Sequence, residues 1–172
     1  TIARASASSN RILEVMKTDP SLKNTVEGLE NKYDVTRGEV TFRNVSFRYG
    51  GGETDVLHGL DFKITSGQTV AVVGAPGTGK STMLQLIPRL YDATDGEVLI
   101  DGRNVKDYNL DELHREVGMV LQKNVLFSGT IEDNLRWGKQ DATREEVETA
   151  ARAAQAHDFI MSFPEGYDTV LG

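Results

Sequence analysis

An eight-residue stretch, Gly74 to Ser81, constrains the fold of this chain more than any other feature. In it two glycines enclose four residues, and a lysine and a serine follow at once. In such a pattern backbone N–H groups surround phosphate oxygens, the lysine reaches the β- and γ-phosphates, and the serine hydroxyl binds Mg²⁺. The pattern predicts a nucleotide-phosphate site formed by Gly74, Ala75, Pro76, Gly77, Thr78, Gly79, Lys80 and Ser81.

A phosphate-binding loop of this kind needs a strand before it and a helix after it. The segment Val70–Val73 is apolar and β-branched, which indicates a parallel strand buried on both faces. Apolar residues recur at helical spacing from Met83 to Leu90, and Pro88 should kink or end that helix close to Ile87. Both flanks therefore favour a phosphate-binding loop over a chance glycine-rich turn.

The composition narrows the class of protein. With 172 residues, of which 38% are hydrophobic, the chain can form one domain with a sizeable core. The net charge of −7 argues against a broad nucleic-acid-binding surface, so we expect no nucleic-acid partner. The absence of cysteine excludes disulfides and thiolate metal sites. No apolar run is long enough to span a bilayer, so we expect no membrane span in this chain.

An antiparallel β unit is predicted before the loop. Residues 1–19 can form a helix with one apolar face, residues 20–38 form a polar linker, and a domain begins near Glu39. The apolar alternation from Val40 to Phe47 changes phase at Arg43-Asn44, which predicts a strand with a bulge there. A second strand is predicted from Leu57 to Ile64.

After the loop the pattern predicts strands and then mainly helices. The predicted strands are Glu97–Ile100, which leads into an Asp-Gly turn, and Val117–Leu121. The predicted helices are Leu110–Glu116, Thr130–Arg136, Thr143–Ala156 and His157–Ser162, with a capping box between Thr143 and Glu146.

Two residues outside the loop are further candidates for the site. Tyr49 ends a predicted strand about 25 residues before the loop, and its ring could stack on a base for about 1–3 kcal/mol. Simple packing is the common alternative for such a ring. Gln122 follows an apolar strand directly and could bind a metal-bound water or sense a γ-phosphate, because ligands collect at the carboxyl ends of parallel strands. An ordinary strand-end role is the alternative for Gln122.

Taken together, these motifs resemble the nucleotide-binding domain of an ABC exporter. The matching segments are Phe47–Tyr49, Gly74–Thr82, Leu90–Gly96, Ile100–Gly102, Val120–Gln122 and Leu126–Asn134. The resemblance implies an α/β fold: an incomplete P-loop NTPase core of the ABC ATPase type, with an antiparallel β subdomain and the start of a helical subdomain. It also implies an ATPase, ATP and Mg²⁺ as cofactors, and export of a substrate driven by hydrolysis of ATP to ADP and phosphate.

The resemblance assigns roles to individual residues. Tyr49 would stack on adenine, Gly74–Ser81 would be the Walker A motif, and Thr82 would add a nucleotide contact. Gln122 would be the Q-loop glutamine that contacts Mg²⁺ together with Ser81, and Lys80 and Gln122 are the catalytic candidates.

The resemblance also implies partners and a location. The segment Phe127–Asn134 resembles the surface on which coupling helices of a transmembrane domain dock. A second nucleotide-binding domain, in a homodimer or a heterodimer, would complete the ATP site at the cytoplasmic face of the cell membrane. Residues 1–19 would follow the last transmembrane helix, 20–38 would be a linker, and 39–172 would be the N-terminal part of the ATP-binding domain.

Several family motifs are not found in this sequence. A Walker B strand ending in Asp-Glu, an L-S-G-G-Q signature, a D-loop and a switch histidine do not occur, and Asp101 is interpreted as a turn residue. We therefore expect the chain to be part of a longer polypeptide and to be inactive in hydrolysis by itself. Two alternatives stay open: a module that binds nucleotide or docks a membrane partner without hydrolysis, and part of a soluble ABC ATPase.

Overall fold

The computed structural model describes residues 2–20, 22–24 and 37–172, with side chains from residue 8 onward. The chain divides into two compact units, Thr1–Gly118 and Met119–Gly172, and each has its own apolar core. Among the described helices, none has the length and apolar character needed to cross a membrane.

The first unit combines a four-stranded sheet with short helices. Its elements are helix α1 (Ile2–Met16), strands β1 (Val40–Phe47) and β2 (Leu57–Ile64), helix α2 (Lys80–Leu86), strands β3 (Asp95–Ile100) and β4 (Arg103–Asn104), a 3₁₀ turn (Val105–Asp107) and helix α3 (Leu110–Glu116). The sheet order is β2-β1-β3-β4, and every pairing is antiparallel. The predicted antiparallel unit and the helix at the start of the chain are thereby confirmed, whereas most of the predicted linker lies outside the described residues.

The predicted bulge in β1 is also confirmed. The register shifts between Phe42 and Val45 against β2, and between Arg43 and Ser46 against β3, while Asn44 has a φ of 47°. Because side chains alternate along a strand, the extra residue turns Val45 and Phe47 to the same face as Phe42. All three side chains are consequently buried in the core.

Helix α2 packs on this apolar face of the sheet. Met83 and Leu86 are buried with Phe42, Leu57 and Ile100 in one core cluster. Burial of each such side chain stabilises the fold by about 1.5–3 kcal/mol. The helix ends at Leu86, as predicted from Pro88, which would clash with a continued helix.

Two predicted strands, Val70–Val73 and Val117–Leu121, are wrong. Neither segment pairs with a strand within residues 37–172, and Val73 and Val120 are 92% and 95% exposed. Val70–Val73 lies beside β2 and α2, where it lines a groove of 510 Å³ together with Phe62 and Met83. An apolar, β-branched sequence favours an extended backbone, but a strand also requires a neighbour that pairs with its N–H and C=O groups.

The second unit is mainly helical, as predicted. Its elements are strand β5 (Gly129–Thr130), helix α4 (Ile131–Leu135), a 3₁₀ turn (Arg136–Gly138), helices α5 (Arg144–Ala153) and α6 (His157–Met161), a second 3₁₀ turn (Gly166–Asp168) and strand β6 (Val170–Leu171). The Thr143–Glu146 capping box at α5 is confirmed, and Thr130 and Asp133 form another one at α4. The antiparallel pairing of β5 with β6 was not predicted, because two residues are too short to show a period of two.

Candidate nucleotide-phosphate site

The predicted phosphate-binding loop joins Val73 to the start of α2. Gly77 and Gly79 have φ values of 82° and 83°, in the left-handed region that glycine adopts without strain. A Cβ on Gly79 would lie 2.7 Å from Leu57 Cδ2 and 3.1 Å from the Val56 carbonyl oxygen. Gly79 is therefore required both for the turn and for the close packing of the loop on the start of β2.

The Lys80 side chain crosses this loop. Its Nζ donates to the carbonyl oxygens of Gly74 at 2.8 Å and Ala75 at 2.7 Å. The Thr78 hydroxyl also donates to the Ala75 carbonyl, at 2.9 Å. The backbone carbonyl groups therefore hold the Lys80 ammonium against the loop. The loop contains no acidic residue. An ammonium in a loop without carboxylates fits a phosphate ligand, because it can bind anionic oxygens.

The first turn of α2 carries the other predicted ligands in this unit. Ser81 is exposed, and its predicted role as a Mg²⁺ ligand stays a prediction. Thr82 is buried, and its hydroxyl lies 2.9 Å from the Tyr49 hydroxyl oxygen. The structure thus brings Tyr49, predicted as the base-stacking residue, into direct contact with the helix that begins at Lys80.

Gln122 belongs to the second unit. It is exposed and lies in a bend after the unpaired segment that ends at Leu121. Its predicted contacts with Mg²⁺ and the γ-phosphate stay a prediction.

Sequence reasoning missed two residues beside Tyr49. Tyr91 contacts the Tyr49 ring, with 5.2 Å between the ring centroids, and the Thr94 hydroxyl accepts from the Arg48 N–H at 2.9 Å. Both residues lie in the matched segment Leu90–Gly96, but no spacing rule linked that segment to Tyr49. The turn role of Asp101 is confirmed, since it has a φ of 51° and its carboxylate accepts from the backbone N–H groups of Arg37 and Glu39.

The second unit carries an apolar surface around the predicted docking segment. A cavity of 760 Å³ is lined by the exposed side chains of Val125, Leu126, Phe127, Trp137 and Phe159, among others. The Phe127 and Trp137 rings stack with 4.7 Å between their centroids. Asn134 fixes Phe127 by accepting from its N–H at 2.8 Å and donating to its C=O at 2.9 Å.

An ion-pair network centred on Glu132 of α4 stabilises this unit. The Glu132 carboxylate accepts from Arg136, with 3.0 Å to Nε, and also from Arg144. These hydrogen bonds, first from Arg136 and then from Arg144, lower the pKa of Glu132 despite its burial. Arg144 also pairs with Glu148 and Asp168, and its guanidinium lies 4.7 Å from the centre of the buried Tyr167 ring.

Several known proteins that resemble the chain are named as exporters. A protein of Bacillus subtilis strain 168, named as a multidrug export ATP-binding/permease protein, is 48% identical over 172 residues, which are 100% of this chain and 29% of that protein. A protein of Staphylococcus aureus strain NCTC 8325 with the same kind of name is 43% identical over 161 residues, 94% of this chain and 28% of that protein. The chain thus spans less than a third of the length of these relatives.

A solved structure shows the same fold. It is the structure of a bacterial Atm1-family ABC exporter with ATP bound. The match has a TM-score of 0.83 and 36% sequence identity, and it covers 99% of this chain and 29% of the exporter chain. The fold is therefore that of an ABC-type P-loop ATPase, as the sequence motifs predicted. Residues 57–168 match the family described as ABC transporter. This match covers more than half of the residues in the chain, and the chain therefore belongs to the ABC transporter family.

Proposed function

We propose that this chain is the ATP-binding part of an exporter in which ATP hydrolysis drives transport of a substrate across a membrane. The observation that carries the proposal is the loop Gly74–Ser81, closed by the Lys80 ammonium, in a chain of the ABC transporter family. The names of the relatives support export as the direction of transport.

In this proposal each part of the site binds one part of ATP·Mg²⁺. The N–H groups of Gly74, Ala75 and residues 77–79 and the Lys80 ammonium hold the phosphates, and Lys80 exchanges its carbonyl partners for phosphate oxygens. The Ser81 hydroxyl would ligate Mg²⁺, which would supply positive charge to the phosphates when bound. Tyr49 would stack on the base, and Gln122 of the second unit would contribute a ligand for Mg²⁺.

The proposal includes two protein partners and a location. A second nucleotide-binding domain completes the ATP site, and the apolar surface around Phe127 and Trp137 binds a transmembrane domain. Exposed apolar patches of this kind are typical of protein interfaces. Residues 1–19 would then follow the last transmembrane helix and 20–38 would link it to the ATP-binding domain at the cytoplasmic face of the membrane.

The test is the Lys80→Ala variant of the full-length protein that contains this chain. Removal of the ammonium should abolish ATP binding, and with it phosphate release, because an anionic ligand loses its only charged partner in the loop. Lys63→Ala is the matched control: it also removes one ammonium from this unit, but that group lies on β2 and pairs with Glu39 at 2.9 Å.

Binding and phosphate release should be measured side by side. Unchanged turnover in Lys80→Ala would refute the proposal. ATP binding by the unmodified protein without any phosphate release would instead support a module that only holds nucleotide.

A further inference from the structure

Three aromatic rings lie together at the end of β1. The Tyr49 ring is almost perpendicular to the rings of Phe47 and Tyr91, with centroid distances of 4.8 and 5.2 Å and interplanar angles of 85° and 88°. Phe47 and Tyr91 also contact each other, with 5.5 Å between their centroids. Phe47 is buried, whereas Tyr49 and Tyr91 are 38% and 39% exposed. The Tyr49 ring is thus supported from within the protein while part of its surface faces solvent.

A hydrogen bond holds the far end of the same ring. The Tyr49 hydroxyl oxygen lies 2.9 Å from Thr82 Oγ1, and Thr82 is only 7% exposed. Thr82 follows Lys80 by two residues in α2. The Tyr49 ring is therefore oriented relative to the helix that carries the predicted phosphate ligands.

Thr94, three residues after Tyr91, is hydrogen-bonded to the end of β1. The Thr94 N–H donates to the Ser46 carbonyl at 2.9 Å. The Thr94 hydroxyl accepts from the Arg48 N–H, also at 2.9 Å. These two bonds attach the chain to the end of β1 shortly after Tyr91. The contact between the two tyrosine rings therefore does not depend on side-chain packing alone.

We propose that Tyr91 is a positioning residue for nucleotide binding: together with the Thr82 hydroxyl it holds the Tyr49 ring in the orientation that stacks on the base of ATP. This inference rests on the proposed function. A tyrosine ring without such neighbours would sample several rotamers, and binding would have to restrict it. A ring that is already oriented avoids that cost, so the loss of Tyr91 should weaken binding of the base and leave binding of the phosphates unchanged.

The experiment compares ligands with and without a base, in the full-length protein. Dissociation constants for Mg·ATP and for Mg·tripolyphosphate are measured by calorimetry in the unmodified protein and in the variants Tyr91→Leu and Tyr91→Phe. Tyr91→Leu should weaken ATP binding about three- to tenfold, as expected for loss of one aromatic contact, and should leave tripolyphosphate binding unchanged. Tyr91→Phe keeps the ring and should bind both ligands like the unmodified protein.

Two further variants separate positioning from a general structural role. Tyr49→Phe keeps the ring but loses the bond to Thr82, and it should show the same base-selective loss. In a Tyr49→Leu background there is no ring to orient, so Tyr91→Leu should have no additional effect on ATP binding.

Three results would overturn the inference. The first is an ATP affinity of Tyr91→Leu equal to that of the unmodified protein. The second is a loss of affinity in Tyr91→Leu that is equal for ATP and tripolyphosphate. The third is a loss of ATP affinity on adding Tyr91→Leu to the Tyr49→Leu variant. Failure of the proposed function looks different, since the unmodified protein would then bind neither ligand.

Discussion

Gly96 provides a strict test of how closely β1 and β3 pack at the bulge. It has a φ of 77°, and a Cβ there would lie 2.3 Å from the Asn44 carbonyl oxygen and 2.4 Å from that of Arg43. No real Cβ comes so close to backbone oxygens, and backbone atoms cannot move aside as a flexible side chain can. In Gly96→Ala the two strands must therefore separate around the paired residues Arg43 and Glu97.

The magnitude follows from two contributions. An alanine in the left-handed region costs about 1–2 kcal/mol. Separation of the strands loses about two ladder hydrogen bonds, each with a net value of about 0.5–1.5 kcal/mol. The expected loss is about 2–5 kcal/mol in the free energy of unfolding. Gly102→Ala is the matched control, because Gly102 has a φ of 83° but a Cβ there would meet no atom within 4 Å. It should lose only the conformational part, about 1–2 kcal/mol.

Urea denaturation of the 172-residue polypeptide, followed by far-ultraviolet circular dichroism, measures both losses. With an m-value of about 1–3 kcal/mol per molar urea, the midpoint for Gly96→Ala should lie about 1 M below that for Gly102→Ala. Equal midpoints for the two variants would refute the argument that close backbone approach makes Gly96 necessary.

Two further predictions concern the second unit. Thr143→Ala removes the α5 cap and should destabilise the protein by about 1 kcal/mol, whereas Thr143→Ser should restore the melting temperature; equal melting of both variants would contradict this. The pKa of Glu132 is lowered, first by hydrogen bonding to Arg136 and also by Arg144, so the folded state keeps this carboxylate ionised to a lower pH than the unfolded chain. The stabilisation that ionised Glu132 gives the folded state is therefore complete above pH 4.5, the ordinary pKa of this side chain. It is lost as the pH falls through the lower pKa of the folded state. Glu132→Gln should remove this part of the acid dependence in melting curves recorded from neutral to acidic pH, and an unchanged slope would contradict the assignment.

The sequence alone determined those features that depend on neighbouring residues. The end of α2 before Pro88, the Thr143 capping box and the phase change in β1 each involve residues within a few positions of one another. Local backbone sterics, capping hydrogen bonds and side-chain alternation are sufficient to specify them. The prediction of a phosphate-binding loop uses the same kind of local information, because its glycines, lysine and serine lie within eight consecutive residues.

Only the tertiary structure decided which residues meet across the chain. Val70–Val73 has the composition of a strand, yet pairing depends on a partner that its own residues do not specify. The Tyr49 hydroxyl bonds to Thr82, 33 positions later, and the Tyr91 ring contacts that of Tyr49. Such contacts depend on how β1 and α2 pack, and no local periodicity encodes them. The loop could therefore be predicted from the sequence, whereas the contacts that support the ring of Tyr49 became visible only in the fold.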